Sequence, residues 1–215
     1  MQRMRITFSR GVKVKYLSHL DLMRLWERAL RRASIPLAYS QGFNPHPKIS
    51  MAAPLPLGVT SEAELMDVVL RKRFSPYSLF KVVGEQLPDG IGMVGASEVA
   101  LALPSLQSQV RKAEYHVELL TDKQESEVEK AIKMLLAKPN LPWQHSREGE
   151  ERHYDLRSMV DRLWLIEWHE SKCLLGMILR TDSTATGRAE QIALALGFPD
   201  APLSIHRTRL VLASS

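Results

Sequence analysis

The sequence predicts an α+β protein made of two tandem ferredoxin-like units, each a split βαβ arrangement with an antiparallel sheet. Three observations lead there. Each half alternates between strand-type and helix-type hydrophobic spacing in the order strand, helix, strand, strand, helix, strand. A polar, proline-bearing stretch, Leu103-Pro104-Ser105-Leu106-Gln107-Ser108-Gln109, lies between the halves and reads as a joint. A chain of 215 residues, 45% of them hydrophobic, can fill one large core or two small ones. The expected domains are therefore 1–104, the more basic one, and 110–215.

In the first half, Met4 to Phe8 alternates as a strand. Ser18 can cap a helix, with Asp21 three positions on. Leu22, Trp26, Ala29, Leu30 and Ala33 then share one helical face, and Arg24, Arg28 and Arg31 the opposite one. Ile35-Pro36 ends this helix, because proline lacks an amide donor and disfavours helix before it. Strands are expected around Leu37–Tyr39, over Ile49–Ala52 and over Ala63–Leu70, with a turn at Pro54–Gly58. Ser75-Pro76 opens a second helix running through Leu87 to a stop at Gly90, and Ile91–Leu101 is a strand. In the second half, Tyr115–Leu119 is a strand and Glu125–Lys138 a helix with Val128, Ile132, Leu135 and Leu136 inward. Ser146–Arg152 reads as an exposed loop. Leu163–Trp168 and Leu174–Leu179 read as paired strands, Gly187–Leu196 as a helix closed by Gly197, and Arg207–Leu212 as the last strand.

Composition narrows the function classes. No apolar run reaches the ~20 residues of a membrane span, and Met1–Ile6 lacks the apolar stretch of a secretory signal. The one cysteine, Cys173, forms no internal disulfide and sits among apolar neighbours. A cytoplasmic setting is expected. The seven histidines are scattered and no Cys or carboxylate cluster has ligand spacing, so no metal site is expected. Gly90–Gly95 falls at a helix-to-strand turn, where it does not make a phosphate-cradling loop.

The net charge of +5 is unevenly spread: residues 1–48 hold ten Lys and Arg against two Asp and Glu. A local basic excess concentrates phosphate-bearing partners, although it also serves plain solubility. Within it, Arg24, Arg28 and Arg31, with Arg32 at the edge, are candidates for phosphate contact. The loop Ser40–Lys48 is the least generic segment. Pro45 and Pro47 stiffen the backbone around His46, and Gly42 permits a positive φ. Gln41, Asn44, His46 and Lys48 supply polar and cationic groups, while Phe43 offers a flat apolar face, a mix suited to a nucleotide. The alternative is a structural crossover with Phe43 in the core and His46 bonded to a carbonyl. His19, His46 and Tyr39 are weaker candidates for proton transfer in metal-independent RNA cleavage. Tyr154-Asp155-Leu156-Arg157 reads as a polar unit fixing a loop, and Trp143, Trp164 and Trp168 as core or sheet-face residues.

Phe8–Gly11, Tyr16–Arg24, Ala29–Ala33, and Tyr39–Ser50 followed by Pro54–Glu62 resemble the radical-SAM-linked protein family of bacteria. Tyr154–Arg157, Gly187–Gln191 and Arg207-Thr208 follow its later pattern, with Ala189 where members often carry proline. The resemblance implies a domain encoded beside or fused to a radical-SAM protein, in a genomic setting of RNA and ribosome functions. It implies that an iron–sulfur cluster and S-adenosylmethionine belong to that partner, since one cysteine cannot ligate a cluster alone. Three functions follow as expectations: a non-catalytic accessory protein that binds RNA for a radical-SAM partner, without evident DNA specificity; a metal-independent RNA endonuclease of the repeat-RNA-processing type; or a protein-interaction module.

Overall fold

A computed structural model of the chain describes residues 1–147 and 150–213. It is an α+β structure with two compact units, Met1–Val110 with Leu212–Ser215, and Arg111–Val211. No helix among the described residues is long and apolar enough to cross a membrane.

The first unit runs β1 (Gln2–Arg10), α1 (His19–Arg32), β2 (Ile49–Met51), β3 (Thr60–Leu70), α2 (Pro76–Gly84), β4 (Ile91–Val99) and a short α3 (Leu106–Gln109). Its strands lie in the order β4-β1-β3-β2, and each neighbouring pair is antiparallel. Because side chains alternate faces along a strand, Met4, Ile6 and Phe8 of β1 and Met66, Val68 and Leu70 of β3 all point to one side. There they meet Leu22, Trp26 and Leu30 of α1 and Leu79 and Val83 of α2. Phe8 and Trp26 pack edge to face, with ring centroids 4.8 Å apart.

The other face of β1 and β3 carries charge. Asp67 is buried and accepts from Arg3 Nε at 2.8 Å and Arg5 Nε at 2.8 Å. Arg3 also donates to the carbonyls of Leu103 and Pro104 at 2.7 and 2.9 Å. The stretch expected as a polar joint is therefore tied to β1, and Leu106 is buried. Arg10, only 1% exposed, donates to the carbonyls of Val14, Lys15 and Leu17. Three of the ten N-terminal cations are thus structural.

Other differences from the sequence reading have local causes. The Ser18 hydroxyl caps α1, accepting from the Asp21 amide at 3.1 Å, but the helix ends at Arg32, before Ile35-Pro36. Ser34 takes the left-handed conformation (φ 55°), and the Ile35 and Ser34 amides donate to the carbonyls of Leu30 and Arg31. This is a Schellman ending with serine where glycine is usual. Leu37–Tyr39 is not a strand: only isolated bridges form, Leu37 to Leu70 and Tyr39 to Pro47. Helix α2 stops at Gly84 rather than continuing to Gly90.

The second unit runs β5 (Val110–Leu120), α4 (Glu125–Ala137), β6 (Pro142–Arg147), β7 (Glu150–Asp155), β8 (Val160–His169), β9 (Lys172–Arg180), α5 (Ala189–Ala195) and β10 (Ser204–Leu212). Its sheet order is β10-β5-β9-β8, with β6 and β7 paired separately. Within the expected loop Ser146–Arg152, Ser146 pairs with Glu151 and Arg147 with Glu150 as strand residues, while Glu148 and Gly149 lie outside the described residues. Trp164 lies across the chain from Gly176, and its indole occupies the space a β-carbon there would need. Cys173 is buried in β9, and burial pushes its thiol up to about 11.

Candidate nucleic-acid interface

The outward face of α1 starts the site. Arg24, Arg28 and Arg31 are exposed and follow one another at helical spacing, opposite buried Leu22, Trp26, Ala29 and Leu30. Arg24 lies 3.6 Å from Asp21, an exposed pair of small energetic weight, and Arg31 lies 2.6 Å from the partly buried Glu27. Among the described residues, the Arg28 side chain has no hydrogen-bond or ion-pair partner. Arg32 points elsewhere and donates to the Gln86 carbonyl at 2.6 Å, clasping α1 to the segment after α2.

Past the helix, the chain crosses to the loop 40–48. Two backbone links close its base: Lys48 N to Ala38 O and Ser40 N to His46 O, each 2.8 Å. The Ser40 hydroxyl accepts from the His46 amide at 3.0 Å. Gly42 has φ 129°, a conformation side chains disfavour. The tip, Gln41 to Pro45, stands in solvent, and Phe43 is fully exposed (106%) rather than in the core. His46 and Lys48 are exposed, and Lys48 Nζ has no partner among the described residues.

Tyr39 joins the helix to the loop. The guanidinium carbons of Arg31 and Arg71 lie 6.0 and 5.8 Å from its ring centroid, within cation–π range. Arg71 is itself oriented by donating Nε to the Leu37 carbonyl at 2.9 Å. Arg71, Lys72 and Arg73 follow β3 directly and are all exposed. Sequence reading missed these three. The signal available was a run of three cations straight after a strongly apolar strand.

The weaker candidates are dispersed differently. His19 sits exposed in the first turn of α1, and no hydrogen bond links it to Tyr39 or His46. The Tyr39 ring is engaged by two guanidiniums. In the second unit, Asp155 Oδ1 accepts from the amides of Leu141 and Arg157, and Arg157 donates to the carbonyls of Leu136 and Val160. The Tyr154 hydroxyl donates to Gln191, and burial raises its pKa. Trp143, Trp164 and Trp168 are all partly buried. No group of three or more His, Cys, Asp or Glu residues is placed to hold a metal ion among the described residues.

The fold is mixed α+β, and α1 carries an exposed basic face. Over 97% of its length the chain is similar in fold to a chain of a Cbf5-Nop10-Gar1 complex, with TM-score 0.53 and 12% identity. Over 96% it is similar to a chain of the archaeal box H/ACA sRNP Nop10-Cbf5 complex, with TM-score 0.51 and 14% identity. A chain of an H/ACA RNP bound to a substrate RNA containing 2'-deoxyuridine is similar over 97%, with TM-score 0.50 and 13% identity. The match covers 48%, 47% and 47% of those chains respectively, so this chain spans about half their length. At these identities the likeness concerns the fold. No curated protein matches the sequence significantly. Residues 3–189 match the family described as an uncharacterized protein conserved in bacteria, DUF2344, and the chain belongs to that family.

Proposed function

We propose that this protein binds RNA through a basic surface formed by α1, the loop 40–48 and the cations after β3, and that it does so as a non-catalytic accessory to a radical-SAM enzyme. The observation that carries the RNA reading is the convergence of Arg31 and Arg71 on Tyr39, which makes one surface of the arginine helix and the strand end. Arg28, Lys48, Lys72 and Arg73 extend it with exposed cations. Arginine pairs with phosphate in a fork geometry and stacks on bases. The fold likeness to chains of H/ACA complexes, one of them bound to a substrate RNA, supports the same reading.

The radical-SAM partner rests on the sequence resemblance. The cluster and S-adenosylmethionine would reside in that partner, because Cys173 is the only cysteine and is buried. The strand order 4-1-3-2 within each unit supports reading both as ferredoxin-like. The division near residue 110 supports reading them as two domains.

Ultraviolet crosslinking in cells, followed by sequencing of the bound RNA, tests the proposal. Expected is a defined RNA set that depends on Arg24, Arg28 and Arg31, together with co-purification of a radical-SAM protein. Absence of crosslinked RNA above background, with a partner retained after nuclease treatment, would leave a protein-interaction module instead.

A further inference from the structure

We infer that the surface selects RNA with unpaired bases, and that Phe43 is the residue that stacks on them; this rests on the RNA-binding reading above. A phenyl ring left wholly in solvent offers apolar surface whose covering by a partner is favourable. Here the exposure is built in. The loop base is closed by the Ala38–Lys48 and Ser40–His46 links and the Tyr39–Pro47 bridge. Pro45 and Pro47 limit the backbone, and Gly42 supplies the positive φ that turns the tip. Phe43 is therefore held outward on a short stiff stem.

The surroundings of that stem determine the occupant. Lys48 leaves the loop base with no partner for its ammonium among the described residues, and Tyr39, at the same base, is flanked by the guanidiniums of Arg31 and Arg71. An apolar partner surface would leave Lys48 and Arg71 without an anionic partner among the described residues. An RNA strand would set its phosphates on them while offering a base face to Phe43. In a duplex the bases are already stacked on each other, and the deep major groove of A-form RNA keeps side chains from their edges. Away from its ends a duplex presents no free base face, whereas every unpaired base can present one, and such stacking is sequence-tolerant.

Fluorescence anisotropy with the full chain, comparing both probes at each of a series of salt concentrations, separates the possibilities. The probes are a 12-nucleotide RNA single strand and the blunt duplex of the same sequence. Wild type is expected to prefer the single strand by about tenfold. Phe43→Ala should remove most of that preference and Phe43→Trp should keep it. 2-Aminopurine in the strand should be quenched by wild type and less so by Phe43→Ala. Equal, salt-sensitive binding of strand and duplex by wild type overturns this inference and leaves RNA binding standing. Binding of neither probe in a salt-sensitive way overturns both, and is the outcome expected if the loop meets a protein.

Discussion

The guanidinium of Arg71 rests against the ring of Tyr39, 5.8 Å from its centroid, although 32 positions separate them in sequence. The contact forms because β3 delivers Arg71 beside Leu37, whose carbonyl accepts from Arg71 Nε. Tyr39 is thereby a positioning residue: its ring, not its hydroxyl, holds two cations on one surface. Tyr39→Phe is expected to bind RNA as wild type does, and Tyr39→Ala to lose about threefold to tenfold, in keeping with exposed cation–π contacts of roughly 0.5–1 kcal/mol each. Equal losses in both variants, measured by anisotropy, would assign the effect to the hydroxyl.

The Trp164–Gly176 pair gives a test of the second unit. A β-carbon at residue 176 would lie 2.1 Å from Trp164 Cε2. Gly176→Ala should destabilise the chain by about 1–3 kcal/mol in urea unfolding, as overpacking does. Adding Trp164→Ala should recover part of that loss, whereas additive losses would show that the indole is not the obstruction.

Ser34 holds a left-handed conformation at the end of α1. Ser34→Gly should stabilise by about 1 kcal/mol, read as a raised urea midpoint with unchanged slope. A lowered midpoint would mean that the serine contributes something the ending of the helix does not reveal.

Asp67 compensates two buried or half-buried arginines. Asp67→Ala should cost about 3–5 kcal/mol, because it leaves Arg3 and Arg5 without a counter-charge. A loss near zero would contradict the structural role given to these cations.

Asp182 is held well below the usual carboxylate range, first by its bond to Arg180 and then by those to Thr184. Its carboxylate also accepts from the Thr184 and Ala185 amides. A depressed folded-state pKa stabilises above the unfolded carboxylate value of about 3.9, and that stabilisation is lost as pH falls below it. Asp182→Ala should therefore be less stable than wild type at pH 7 by about 1–3 kcal/mol, with the gap narrowing below pH ~4. A gap independent of pH in acid unfolding would contradict this.

Much of the fold was legible because local chemistry and packing agree. Met4, Ile6 and Phe8 alternate and do face the core, and Ser18 does cap α1. What was hidden depended on distant partners. Arg3 and Arg5 read as part of a basic surface, since nothing nearby reveals that Asp67 and the carbonyls of residues 103 and 104 receive them. Leu37–Tyr39 has strand-forming residues, yet it finds bridges and no ladder. The exposed arginines of α1 followed from helical spacing, whereas the part of Arg71 needed the register of β3. Phe43 stood open between core and contact, because an aromatic beside glycine and proline fits either, and only the closed loop base decides it.

The salt dependence of RNA affinity tests the central claim most directly. Single-stranded RNA binding by wild type should fall steeply with salt, with a log–log slope of about −0.7 per phosphate contact. A combined Arg24→Ala, Arg28→Ala, Arg31→Ala variant should bind more weakly, with the slope shallower by about 2. Identical slopes and affinities for the two proteins would contradict the account.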